Sequence, residues 1–261
     1  MADKKFNILV TNDDGYRAPG IRALVEVVKE FGNVTVVAPD DSRSGMSNAI
    51  TVYSPLRVKK IKEEENLTVY KCNGTPVDCV KIGISELMDE TPDLLVSGIN
   101  HGANSSVSVL YSGTMGAAIE GTIHGIDSIG FSLCDYSKSA NFEHTKSYIR
   151  DIVSNVLEEG LSQNISLNVN FPVGDIKGVT VCRQSRGKWM EEFEKRQDPA
   201  KRSYYWLTGY YQDFEPEAKD TDSYALENGM VAITPITIDM TAYKEMERIK
   251  NWNISLNGTN K

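Results

Sequence analysis

Histidine is scarce in this chain of 261 residues: His101, His124 and His144 are the only three, too scattered for a convincing zinc site. Cysteine is sparse as well. Cys72, Cys79, Cys134 and Cys182 show neither CxxC pairing nor metal-finger spacing, so buried free thiols are the expected state. No apolar run is long enough to span a bilayer, and the start Met1-Ala2-Asp3-Lys4-Lys5 carries no signal-peptide core. A reduced, cytoplasmic setting with no membrane partner is therefore the expectation. Positive charge is short too: 28 Lys and Arg against 36 Asp and Glu leave a net charge of −8. That argues against a nucleic-acid polymer as main partner, since such proteins carry a basic face. It leaves room for a small phosphate ester, whose charge a bound cation can offset. Internal repeats and low-complexity tracts are missing.

What is present is an ordinary globular balance, 40% hydrophobic and 25% charged residues. The pattern is organised around Asn12-Asp13-Asp14-Gly15. Just before it, Phe6-Asn7-Ile8-Leu9-Val10-Thr11 is a short apolar run rich in branched residues and reads as a buried strand. Just after it, Ile21, Leu24, Val25 and Val28 recur at helical spacing up to Gly32. Two adjacent carboxylates thus fall at the C-terminal end of the first strand, where open α/β sheets bind ligands. Adjacent carboxylates repel, and a metal cation is the usual compensation. The same residue types also make plain solvated turns.

Further along, 34–38 reads as a second strand, followed by a polar loop over 39–45. Segments 50–58 and 67–71 read as short strands around a charged turn at 62–66. Gly74-Thr75-Pro76 opens a helix, with Thr75 as cap and Val77, Val80, Ile84 and Leu87 as its apolar face. The strand at 94–97 leads into Gly98-Ile99-Asn100-His101-Gly102-Ala103-Asn104. A loop of small residues precedes Ser112-Gly113-Thr114, which begins a helix running to about Gly125. Strands are expected at 129–133, 165–170, 179–182 and 230–236, and a long helix through Tyr148, Ile152, Val153 and Val156 ends near Gly160. A last helix is expected over 238–249, with a frayed tail beyond Ile254.

Strands alternating with helices predict an α/β fold with a mostly parallel, doubly wound sheet. The stretch 188–227 mixes dense charge with Tyr204, Tyr205, Trp206, Tyr210 and Tyr211, and reads as a hairpin or arm leaving the core. Such an arm either folds back on its own subunit or exchanges with an identical chain. One domain over 1–261 is expected, with a core of about 6–186 plus 229–250.

Three strand-end loops bring oxygen-rich residues to one edge of the sheet: Asp13 with Asp14, Ser42 to Ser44, and Asn100 with Asn104. Carboxylate, hydroxyl and amide oxygens suit Mg²⁺, Mn²⁺ or Ca²⁺ and fit zinc poorly. The helix start at Ser112-Gly113-Thr114 is the stronger anion site, and Gly74-Thr75-Pro76 is a second candidate. Each piece has a plainer counterpart. Ser112 and Thr114 also read as a simple cap, and Asn100 as a turn closer. His101 reads as a surface histidine before it reads as a general acid. Arg43, Arg183 and Arg186 read as solvated or ion-paired before they read as phosphate ligands. Tyr204, Tyr205 and Trp206 read as core or interface before they read as a base-stacking platform.

Taken in order, a set of motifs resembles the survival protein E (SurE) family. They are Ile8-Leu9-Val10-Thr11-Asn12-Asp13-Asp14-Gly15, Val37-Ala38-Pro39-Asp40, Arg43-Ser44-Gly45, Gly74-Thr75-Pro76-Val77-Asp78-Cys79, Val96-Ser97-Gly98-Ile99-Asn100, Tyr111-Ser112-Gly113-Thr114 and Arg183-Gln184-Ser185-Arg186. The resemblance covers residues 6 to about 186, and the arm and the late strand at 230–236 also fit. It implies a three-layer Rossmann-like core and a metal-dependent phosphatase acting on nucleoside 5′-monophosphates, with 3′-monophosphates as further candidate substrates. It implies one divalent cation per subunit on Asp13, Asp14, Ser44 and Asn100. Asp13 and Asp14 would then be catalytic, with a metal-activated water attacking the ester. Asn12, Asn104, Ser112, Gly113 and Thr114 would bind substrate phosphate. The arm and the C-terminal helix would serve a homodimer or homotetramer by exchange. Where many members carry a histidine, this chain has Asn48.

Two other readings compete. A haloacid-dehalogenase-type phosphatase needs a second carboxylate two residues after its nucleophile, where this chain has Gly15 and Tyr16. A non-catalytic nucleotide- or phosphate-sensing module of receiver shape needs a phosphoacceptor Asp after a central strand, where this chain has Asn100. Metal-dependent release of phosphate from a nucleotide separates enzyme from sensor.

Overall fold

The computed structural model describes residues 5–137 and 139–252. The frayed tail expected beyond Ile254 lies outside the described residues. The chain opens with strand β1 (Phe6–Thr11), helix α1 (Pro19–Val28) and strands β2 (Gly32–Pro39), β3 (Val58–Glu64) and β4 (Leu67–Cys72). Helix α2 (Pro76–Ile82) runs on through a π turn, Gly83–Leu87. Strand β5 (Leu94–His101), a 3₁₀ turn (Ser106–Tyr111), helix α3 (Gly113–Ile123) and strand β6 (Asp127–Leu133) follow, then helix α4 (Lys146–Glu159) and strand β7 (Ile165–Phe171). The remainder comprises strands β8 (Gly178–Val181), β9 (Gly187–Met190), β10 (Phe193–Gln197), β11 (Ser203–Leu207) and β12 (Tyr210–Asp213), helix α5 (Asp222–Glu227), strand β13 (Met230–Thr237) and helix α6 (Tyr243–Lys250).

Nine strands form one sheet in the order β3-β4-β2-β1-β5-β6-β7-β13-β8. From β4 to β7 every neighbouring pair is parallel; β3 joins antiparallel at one edge, and β13 joins antiparallel to β7. Both faces are covered. Ile8 and Val10 of β1 pack with Leu24 and Val28 of α1 and Ile149 and Val153 of α4. Leu9 packs in a separate cluster with Val37, Leu95, Cys79 and Val80 of α2, and Ala117 of α3. Successive residues of β1 therefore serve opposite layers, which is why the strand reads as an unbroken apolar run. This is the mostly parallel, helix-flanked α/β sheet expected from the alternation, with extra hairpin strands attached.

Several local expectations are corrected. Residues 50–57 form no strand, and the strand lies instead at β3, taking in the Lys and Glu residues expected in a turn. β3 is a sheet edge exposed along almost its whole length, where charged side chains are well placed. The hairpin turn shrinks to Glu65-Asn66, with Asn66 at φ 60°. β5 runs on past Ser97 to His101 through a register shift against β6, so Asn100 lies on a strand end rather than in a loop. Helix α5, which no expectation covered, follows the acidic loop after Phe214, and Thr221 caps it by accepting from the Tyr224 N–H. At 6 residues α5 is too short for apolar periodicity to signal it. The last helix starts at Tyr243, five residues later than expected at 238. The arm is a long hairpin outside the main sheet: β9 pairs with β12, and β10 with β11 beyond them.

Candidate active site

Parallel pairing delivers the C-terminal ends of β1, β2 and β5 to one edge of the sheet. There the backbone N–H of Arg43 donates to the Asp13 carbonyl at 2.6 Å, drawing the loop after β2 over the end of β1. A cleft of about 460 Å³ opens at this edge. From the core it is lined by Asp13, Ser44, Asn100, His101, Asn104 and Ser112, and from the arm by Trp189, Glu192, Leu207 and Thr208. The base of the arm thus folds over its own chain's cleft.

Asp13 is only 3% exposed. Burial is the main force pushing its carboxyl up to about 6; the neighbouring Asp14 adds to the rise and a hydrogen bond from Thr114 opposes it. That bond runs from the Thr114 hydroxyl to Asp13 Oδ1 at 2.7 Å. Asp14 is half-buried, and its carboxyl is also raised by burial, against a hydrogen bond from the His101 backbone N–H at 3.1 Å. Two adjacent carboxylates, both held above their ordinary range, form a place that a cation relieves.

The other site residues are held from behind. Asn100 donates through Nδ2 to the Gly102 carbonyl at 2.8 Å, which leaves its Oδ1 for an acceptor role. Asn104 donates through Nδ2 to Ser132 Oγ and through its backbone N–H to Asn170 Oδ1, and its carbonyl accepts from Asn168 Nδ2, each at 2.8 Å. Ser44 is exposed, with its Oγ 3.0 Å from that of Ser42. Ser112 caps α3, accepting from the Met115 N–H at 3.0 Å.

Asp13, Ser44, Asn100, Asn104 and Ser112 therefore meet on one cleft, with Asp14 beside Asp13 in sequence and tied to the end of β5. Three candidates stand behind that surface. Asn12 is fully buried and closes its own loop, donating to the Gly15 carbonyl at 3.0 Å and accepting from the Gly15 N–H at 3.2 Å. Thr114 is turned onto Asp13. Gly113 leaves room for Asp13: a Cβ there would lie 2.9 Å from Asp13 Cβ.

Other readings change. The start of α2 offers no anion site, because its own Asp78 fills it: Asp78 accepts from the Thr75 N–H at 2.8 Å while Thr75 Oγ1 accepts from the Asp78 N–H at 3.1 Å. Arg43 donates to the Asn73 carbonyl, Arg183 pairs with Glu215 and Asp220, and neither they nor Arg186 line the cleft. His101 is not a surface histidine. It is half-buried on the cleft wall, its ring 5.5 Å from that of Phe142, and its Nε2 has no hydrogen-bond partner among the described residues. Sequence reasoning missed Trp189 and Glu192 on the cleft; the only signal was an aromatic, charged arm beginning just after Arg186.

Among the described residues no cluster of three or more His, Cys, Asp and Glu side chains has the arrangement of a metal site. The donor set at this edge is instead two carboxylates, a hydroxyl and an amide oxygen, which fits a hard divalent cation that keeps water in its shell.

Residues 8–191 match the family model described as Survival protein SurE. The chain is 49% identical over 257 residues to a protein named 5′-nucleotidase SurE from Phocaeicola vulgatus, covering 98% of this chain and 100% of that one. It is 52% identical over 260 residues to the protein of the same name from Christiangramia forsetii, covering 98% and 100%. The crystal structure of the SurE protein from Aquifex aeolicus superposes with a TM-score of 0.80 at 40% identity, over 94% of this chain and 98% of that one. With residues 8–191 matched by the family model, nearly its whole length matched by these proteins and its fold shared with the Aquifex structure, the chain belongs to the SurE family.

Proposed function

We propose that this chain is a phosphomonoesterase that hydrolyses nucleoside 5′-monophosphates, with 3′-monophosphates as a further substrate, to nucleoside and phosphate. The observation that carries the reading is the meeting of the buried Asp13 with Ser44, Asn100, Asn104 and Ser112 around one cleft. The printed names of the relatives point the same way. Asp13, Asp14, Ser44 and Asn100 would hold one divalent cation of the Mg²⁺, Mn²⁺ or Ca²⁺ class. Bound there, such a cation supplies charge neutralisation and an activated water.

The chain's own residues supply the rest. Ser112, at the positive start of α3, and Asn104, locked by Ser132, Asn168 and Asn170, face the phosphoryl oxygens. His101 stands on the same wall, its ring packed near that of Phe142 and its Nε2 buried. Thr114 fixes the orientation of Asp13, and Asn12 fixes the loop that carries it. The ester is broken by water, since no serine or cysteine on the cleft stands beside a base in the setting of an activated nucleophile.

The protein works as a homodimer or homotetramer in the cytoplasm. Support for assembly comes from the outer part of the arm, where Tyr204, Tyr205 and Trp206 are exposed. Free thiols at all four cysteines suit a reducing compartment, and no helix among the described residues is long and apolar enough to cross a membrane. Core and arm act as one domain, as the contact between Trp189 and Ser108 supports.

Phosphate release tests the reading. After chelation, a panel of nucleoside 5′- and 3′-monophosphates is assayed with Mg²⁺, Mn²⁺ or Ca²⁺ added back. Release that depends on added cation is expected. Nucleotide binding without release under every condition would make the chain a sensing module instead.

A further inference from the structure

We propose that Trp189, on the arm, is the base-stacking face of the cleft. The proposal rests on the phosphomonoesterase reading and deepens it. The cleft's volume of about 460 Å³ lies within the range of roughly 300–1,000 Å³ that holds small organic ligands. A phosphate group fills only a part of that. Asp13, Asn104 and Ser112 line the cleft from the core, and Trp189 and Glu192 line it from the arm.

The indole is fixed in place. Its Nε1–H donates to Ser108 Oγ at 3.3 Å, and its ring meets Tyr211 edge-on with centroids 6.4 Å apart. The Tyr211 hydroxyl is hydrogen-bonded to the hydroxyls of Ser106 and Ser185. Asp222 then accepts from the backbone N–H groups of the same two serines, at 2.7 and 2.9 Å. Trp189 is half-buried by this packing while it lines the cleft. A rigid, partly exposed aromatic face costs little ordering on binding, and every nucleobase has a π-face to lay on it.

Steady-state kinetics at saturating Mn²⁺ or Mg²⁺ test this on the full-length protein. The substrates are a nucleoside 5′-monophosphate and p-nitrophenyl phosphate, and the variants are Trp189→Ala and Trp189→Phe. Removing the stack in Trp189→Ala raises the monophosphate KM by about five- to a hundredfold, with kcat changed far less. The ratio of kcat/KM for the nucleotide over p-nitrophenyl phosphate falls with it. Trp189→Phe recovers most of that ratio, because the ring face is kept. An unchanged nucleotide ratio in Trp189→Ala, beside a wild type active on nucleotides, overturns the subsite alone. A wild type that releases no phosphate from any nucleoside monophosphate overturns the phosphomonoesterase reading and the subsite together.

Discussion

Asp13 sits almost out of solvent beside a second carboxylate, and its carboxyl is pushed from 3.8 to about 6. Between those two values the folded chain keeps a proton that the unfolded chain has released. Without a bound cation, stability therefore falls as pH rises through that window, and the whole cost stands above about 6. A shift of this size corresponds to a cost on the order of 3 kcal/mol. Asp13→Asn removes the charge and keeps an acceptor for Thr114. In chelated protein at pH 8, Asp13→Asn is expected to be more stable than wild type by about 1–3 kcal/mol, and the gap should close by pH 4. Urea denaturation at the two pH values reads this. A difference that ignores pH would show that the Asp13 charge is already compensated within the chain.

At the scale of elements, the site depends on how closely α3 approaches the end of β1. A Cβ on Gly113 would lie 2.9 Å from Asp13 Cβ and 3.2 Å from Asp13 Oδ2. Gly113→Ala is expected to displace the carboxylate and lower kcat/KM at least tenfold, with a stability loss of about 1–2 kcal/mol. Parallel kinetics and thermal melts check it, and an activity loss no larger than the stability loss explains would deny the approach any functional role. The arm has its own anchor. Asp222 is 1% exposed and accepts from the Ser106, Ser185 and Ser223 N–H groups. Asp222→Ala strands these donors and is expected to cost about 2–4 kcal/mol in chemical denaturation.

The elements differ in how far they could be read beforehand. β1, β2 and β5 were legible because burial on both faces demands a continuous apolar run, and their polar ends had to share an edge once the sheet was parallel. Asp13, Ser44, Asn100, Asn104 and Ser112 followed from that geometry as neighbours. The direction of individual side chains did not follow. Nothing in Ser112-Gly113-Thr114 says that Thr114 turns to Asp13 rather than outward, since that depends on a contact 101 residues away in the chain. β3 was misplaced because an exposed edge strand has no buried face to give it a period. α5 was missed because its anchor, Asp222, is a polar residue in an acidic stretch, and only the backbone donors of Ser106 and Ser185 explain it.

At the scale of the molecule, the arm plays two parts. Its base walls the cleft, while its tip stays in water: every residue of β10 and β11 is exposed, with Tyr205 at 60% and Trp206 at 57%. Apolar area of this kind is unfavourable in water by roughly 25 cal/mol per Å², and the proposed symmetric assembly would cover it. Replacing 194–206 by a short Gly-Ser bridge keeps Trp189, Glu192 and Asp222. That variant is expected to run as a smaller species in light scattering than the wild type. The same number of chains per particle, after scaling for the missing residues, would show that the tip does not hold the assembly.

The most direct test of the whole account joins metal and chemistry in one titration. Chelated wild type, Asp13→Asn and Asp14→Asn are titrated with Mn²⁺ or Mg²⁺ in a calorimeter, and phosphate release from a nucleoside monophosphate is measured at each point. The wild type should regain activity in step with the binding of one cation per chain, while both variants bind it weakly, stay nearly inactive and keep the folded circular-dichroism spectrum. Cation affinity unchanged in both variants, or full activity in the chelated wild type, would contradict the assignment of this edge of the sheet as a metal-dependent phosphatase site.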